Sequence, residues 1–230
     1  MNKLFIVLLL IISVLLMVFI FVKKISASKN TPTLVCLGNS LTAGYGADIP
    51  GVDNREKSYP AYLQNRITIP VVNAGVSGNT TAQGLSRIRK DVLSKNPQIV
   101  IIELGGNDLL QGIPLSTTQN NLQKIISLIN NGNRKIYLAK FYSKAMAKTM
   151  LAMLQITDYD EQTALIEQYD AMFNTLAAVN NVELIEDIWN GLSEKYMSDN
   201  MHPNAEGYKI MAENYFSILK PYFRENNMLK

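Results

Sequence analysis

Five short apolar runs, Thr33–Leu37, Val71–Asn73, Ile99–Leu104, Lys135–Ala139 and Val182–Ile185, punctuate this chain. Each is too short for a helix of ordinary length. Between and after them lie segments with helical periodicity, near Tyr59–Ile67, Thr81–Ser94, Thr117–Asn130, Glu161–Val179 and Ala205–Leu219. Pro203 and Asn204 supply a start signal for the last of these. Strands that alternate with helices join in parallel, because a parallel pair needs a crossover connection, and such sheets are covered on both faces. The pattern predicts a three-layer α/β/α sandwich with a parallel sheet of about five strands. Sheets of this kind bind ligands beyond the carboxyl ends of their strands. Three polar, glycine-containing loops follow the first three runs: Gly38-Asn39-Ser40, Gly75-Val76-Ser77-Gly78-Asn79 and Gly105-Gly106-Asn107-Asp108. They are expected to converge on one rim.

One long apolar stretch, Leu4 to Val22, carries no charge and one serine, Ser13. As a helix it spans about 28 Å, enough for a bilayer core. It predicts a membrane anchor over residues 1–24, a linker over 25–32 and a folded domain over 33–230. A secretory signal peptide is the rival, with Ser26-Ala27-Ser28 as small residues for cleavage. Lys3 lies before the stretch and Lys23, Lys24 and Lys29 after it, which leaves the orientation open. Of the 22 basic residues, four precede Thr31 and 18 remain against 19 acids. The domain is therefore near neutral and lacks the clustered basic face of a nucleic-acid binder. The lone Cys36 sits inside Leu34-Val35-Cys36-Leu37, which predicts a buried strand residue rather than a nucleophile.

The chain holds one histidine, His202, in Asp199-Asn200-Met201-His202-Pro203. A serine hydroxyl is a weak nucleophile and needs a base within hydrogen-bond reach, with a third group to orient that base. Ser40, His202 and Asp199 supply those types, and a turn can bring the i and i+3 side chains of Asp199 and His202 together. Taken alone, a D-x-x-H pair is more often an ordinary surface turn, and a serine after a strand is more often a helix cap. Gly78 offers a loop backbone that a ligand can approach closely, and Asn107 a donating amide, the two things an oxyanion needs beyond the nucleophile's own N–H. The plain alternatives are a turn glycine and a helix cap.

Gly38-Asn39-Ser40-Leu41, Asn73-Ala74-Gly75-Val76-Ser77-Gly78-Asn79-Thr80, Gly105-Gly106-Asn107-Asp108 and Asp199-Asn200-Met201-His202-Pro203-Asn204 resemble, in order, the four sequence blocks of the SGNH (GDSL) hydrolases. The likeness is greatest to the bacterial thioesterase/lysophospholipase/arylesterase branch. It runs from about Thr33 to the C-terminal helix and is weakest between Phe141 and Glu161. The resemblance implies a flavodoxin-like fold with Ser40 as nucleophile, His202 as base and Asp199 as its partner. It also implies an oxyanion hole from Ser40, Gly78 and Asn107. It departs at Asn39, where the family usually has Asp; an amide keeps hydrogen-bonding capacity but loses the charge. No cofactor or metal is implied, and Gly44-Tyr45-Gly46 is too short a signal for a phosphate loop.

The activity expected is hydrolysis of acyl esters or thioesters of lipid, lysophospholipid or aryl type through an acyl-enzyme. Two rivals stay open: an O-acetylesterase acting on cell-surface polysaccharide, and a catalytically silent binding module on the same fold. Resemblance to exported relatives places the domain on the extracytoplasmic side of a single-pass anchor, as a monomer. Between Ser143 and Leu154, methionines fall at helical spacings of four and three, fitting either a lid beside an acyl pocket or ordinary core.

Overall fold

The computed structural model describes residues 12–19 and 32–230, and the two parts are treated separately because the chain divides between Pro32 and Thr33. The membrane-anchored, single-pass localisation expected from Leu4–Val22 is overturned. Among the described residues no helix is long and apolar enough to cross a membrane. Residues 12–19 are helical. The remainder of the expected anchor, 1–11 and 20–24, lies outside the described residues. The extracytoplasmic side, expected from resemblance to exported relatives, was a side of that anchor and is withdrawn with it.

Within 33–230 the five strands are β1 (Leu34–Gly38), β2 (Val71–Gly75), β3 (Ile99–Glu103), β4 (Lys135–Ala139) and β5 (Glu183–Ile185). They form one parallel sheet in the order β2-β1-β3-β4-β5. The nine α-helices of this part, in chain order, are α1 (Ser40–Ala43), α2 (Tyr59–Gln64), α3 (Thr81–Ser86), α4 (Ile88–Asp91), α5 (Gly106–Leu110), α6 (Leu115–Ile129), α7 (Lys144–Met153), α8 (Tyr159–Asn180) and α9 (Ala205–Glu225). Successive strand residues point to opposite faces, so these largely apolar strands build two cores. Leu34, Cys36, Ile99, Ile101 and Tyr137 share one with Leu63 of α2 and Tyr215 and Leu219 of α9. Val35, Leu37, Val100, Ile102 and Leu138 share the other with Leu122 and Ile126 of α6 and Phe173 of α8.

Two helices differ from expectation. The segment from Thr81 breaks at Arg87, whose φ of −102° and ψ of 4° end α3. Its guanidinium reaches back to the carbonyls of Ala74 (2.7 Å) and Gly38 (2.8 Å), to Asn79 Oδ1 (2.8 Å) and to Asp91 (3.1 Å). Satisfying the strand-end carbonyls replaces helix continuity. The last helix runs through Pro221 to Glu225 instead of stopping near Leu219, because its apolar face continues to the fully buried Phe223.

Candidate active site

The first three strands end in register, with Gly38 opposite Gly75 on one side and Glu103 on the other. Their loops therefore leave the sheet at one edge. The β1 turn is so tight that a Cβ on Gly38 would lie 1.9 Å from Thr42 Oγ1, and one on Gly75 would lie 2.3 Å from the Ala43 nitrogen. This close packing brings α1 directly onto the strand ends.

Asn39, not Ser40, caps α1: its Oδ1 accepts from the Leu41 N–H at 2.9 Å. Ser40 is thus the first helical residue, and its Oγ lies 3.0 Å from His202 Nε2. His202 Nδ1 is 2.8 Å from Asp199 Oδ2 and 2.9 Å from Oδ1. Oδ1 also accepts the backbone N–H of Met201 (2.8 Å) and of His202 (2.7 Å), so the carboxylate closes the turn that carries the imidazole. Burial raises the Asp199 pKa, but these donors and the imidazole outweigh it and hold the carboxyl below its ordinary value. The Tyr45 ring lies against the imidazole with centroids 4.5 Å apart, and Tyr208 Oη–H donates to the Tyr45 carbonyl at 2.9 Å.

Gly78 has φ of +79°, which favours glycine, and no atom lies within 4 Å of where its Cβ would be. Its backbone is open to an approaching ligand. Asn107 sits inside the first turn of α5, whose cap is Gly105. One Nδ2 proton goes to the Asn79 carbonyl at 3.0 Å, which fixes the amide and leaves its second proton as a donor. Asp108, fully buried, accepts the Thr81 N–H at 2.8 Å and the Thr81 hydroxyl, docking α5 against α3. Ser40, Gly78, Asn107 and His202 all line one cleft of about 240 Å³. Its remaining walls are largely apolar, with Leu110, Phe141, Met146, Met150 and Trp189. The arrangement can deliver a deprotonated hydroxyl to a carbonyl carbon while donors face the carbonyl oxygen.

Cys36 is fully buried, and burial pushes its thiol up to about 12, so it stays protonated. Among the described residues no group of three or more His, Cys, Asp or Glu side chains could hold a metal ion.

Sequence reasoning passed over Glu103, a carboxyl that ends an apolar strand and is fully buried against the side chains of Asn39 and Thr42. Asn39 Nδ2–H donates to its Oε1 (3.1 Å) and Thr42 Oγ1–H to its Oε2 (3.1 Å). Burial pushes its pKa up from 4.5 to about 8, against the pull of those donors. The amide at Asn39, where the family usually has a carboxyl, both caps α1 and bonds Glu103; an ionised Asp there could only accept. Such a group binds its proton more tightly in the folded than in the unfolded chain. Its contribution to stability is therefore fully present below pH 4.5 and is lost as pH rises towards about 8. Urea midpoints are expected to fall across that window in the wild type and to fall less in Glu103→Gln. Equal slopes for the two proteins would contradict the raised value.

The comparisons with known proteins agree in kind. The GDSL-like Lipase/Acylhydrolase family profile matches residues 36–210. An arylesterase of Vibrio mimicus is 29% identical over 207 residues, covering 86% of this chain and 94% of the relative. Thioesterase 1/protease 1/lysophospholipase L1 of Escherichia coli is 28% identical over 197 residues, covering 82% and 84%. The crystal structure of TesA matches with a TM-score of 0.66 at 25% identity, covering 82% of this chain and 98% of its own. With the family profile spanning most of the domain that carries the cleft, the chain belongs to the GDSL-like lipase/acylhydrolase family.

Proposed function

We propose that this protein hydrolyses acyl esters or thioesters through an acyl-enzyme on Ser40. The unbroken relay from Asp199 through His202 to Ser40 Oγ, opening into an apolar cleft, carries that reading. His202 Nε2 takes the Ser40 proton as Oγ attacks the acyl carbonyl, and Asp199 holds Nδ1–H and stabilises the imidazolium. The oxyanion is received by the N–H groups of Ser40 and Gly78 and by Asn107 Nδ2–H. His202 then protonates the departing alcohol or thiol. A water, activated by the same imidazole, releases the acid. Family membership and the esterase relatives make the chain a carboxylic ester hydrolase rather than a silent module.

Leu110, Phe141, Met146 and Met150 offer an acyl chain apolar surface and offer a sugar ring few hydrogen-bonding groups. That favours an acyl ester over an acetylated glycan. Side-by-side kinetics on p-nitrophenyl esters, lysophospholipid, an acyl thioester and acetylated glycan test this. Highest kcat/KM on an acyl ester or thioester is expected, and preference for the glycan would overturn it. Asn107→Ala is expected to lower kcat about 10²–10³-fold with KM little changed, the cost of one oxyanion donor. A rise in KM alone would place Asn107 in ground-state binding instead.

A further inference from the structure

We propose that Phe141 is the specificity-determining wall that ends the acyl cleft and limits the length of acyl chain accepted. The proposal rests on the esterase reading above and deepens it. Among the described residues Phe141 is the one side chain that lines both the catalytic cleft and a second, small apolar hollow of about 10 Å³. The helix α7 straddles the two, with Met146 and Met150 on the cleft and Ala147 and Leu151, one residue further on, at the hollow. The hollow is apolar: Leu109, Leu165 and Ile166 also line it. Its two tyrosines spend their hydroxyls elsewhere, Tyr142 on Asp170 at 2.8 Å and Tyr169 on Thr118. A hollow with this lining offers hydrocarbon apolar surface and offers water few hydrogen-bond partners.

Away from the cleft and the hollow, Phe141 is firmly held. Trp189 Nε1–H donates to the Phe141 carbonyl at 3.1 Å, and the preceding Lys140 is tied to Asp170 (2.9 Å) and Glu186 (2.6 Å). Tyr142, Tyr169 and Phe173 meet the ring edge-on at 5.0, 5.8 and 5.9 Å. Its other side lies on bare backbone, since Cβ atoms on Gly105 or Gly106 would come within 3.1 and 3.2 Å of it. A ring packed in this way is a fixed wall rather than a swinging gate. Removing the ring would join the cleft to that hollow.

The test is the chain-length profile of kcat/KM for p-nitrophenyl acetate, butyrate, octanoate and laurate in the wild type, Phe141→Ala and Phe141→Leu. Each further methylene taken out of water is worth about fourfold. The laurate-to-butyrate ratio is expected to rise at least about tenfold in Phe141→Ala and by less in Phe141→Leu. Ala147→Leu, which fills the hollow, is expected to leave the wild-type profile unchanged and to cancel the gain in Phe141→Ala. Should Phe141→Ala fail to fold, the ratio in Phe141→Leu decides. An unmoved ratio in a folded variant overturns the proposal, as does a shift caused by Ala147→Leu alone. A wild type active on none of these esters sinks the esterase reading with it, whereas an active wild type with unmoved variants sinks only the wall.

Discussion

His202→Ala is expected to lower kcat on a p-nitrophenyl ester by about 10⁴–10⁶-fold, a loss set by removal of the only imidazole in the protein. With no second histidine, no neighbouring ring can take over. Ser40→Ala is expected to fall to the same floor, and the double variant no lower, because nucleophile and base act as one unit and their effects do not add. The floor itself is expected to stay above the uncatalysed rate, since the proposed oxyanion donors Gly78 and Asn107 remain in both variants. Circular dichroism of each variant separates loss of chemistry from loss of fold. Retention of more than a tenth of wild-type turnover by folded His202→Ala would refute the assigned base.

Asp199→Asn is expected to cost about 10²–10⁴-fold in kcat, approaching the value known for triads of this chemistry. Asp199 Oδ1 accepts the N–H groups of Met201 and His202. An asparagine keeps that turn only by presenting its carbonyl oxygen to the same two donors, which turns its NH₂ towards His202 Nδ1. The imidazole must then accept at Nδ1 and carry its proton on Nε2, the wrong tautomer for taking a proton from Ser40. The Asp199 side chain is 41% exposed, so water can relieve part of the conflict, and the lower end of the range reflects this. Asp199→Ala breaks the turn but frees the tautomer. If tautomer control is the role of Asp199, Asn is the worse substitution in kcat while Ala is the worse in thermal stability. Equal kcat for both would reduce Asp199 to a loop anchor.

All five strands were legible because strands buried on both faces are short, apolar and bounded by turn residues. The convergence of Ser40, Gly78 and Asn107 was legible for the same reason: in a parallel sheet the loops after successive strands share one edge. His202 stands 162 positions from Ser40, and only its solitary occurrence and the nearby Asp199 marked it. Less of the surroundings could be read. The break at Arg87 depends on carbonyls of β1 and β2, partners far away in sequence. The depth of Glu103 depends on α2 and α9 packing on the sheet: Tyr59, Tyr208 and Tyr215 are fully buried, and beyond the effect of that burial an ionised Glu103 would raise their pKa further. The capping role passed from Ser40 to Asn39, a shift of one residue that pattern alone does not resolve. Of the methionines between Ser143 and Leu154, Met146 and Met150 line the cleft, Met150 as part of the buried core as well, and Met153 is exposed. Ala147 and Leu151 pack inward.

The central claim is that Ser40 is the nucleophile, and covalent labelling tests it most directly. Wild-type protein treated with a fluorophosphonate is expected to gain one adduct, mapped by peptide mass to Ser40, in step with loss of ester hydrolysis. Labelling is expected to vanish in Ser40→Ala and to slow strongly in His202→Ala. Ester hydrolysis that persists in Ser40→Ala, or an adduct on any other residue that tracks inactivation, would contradict it.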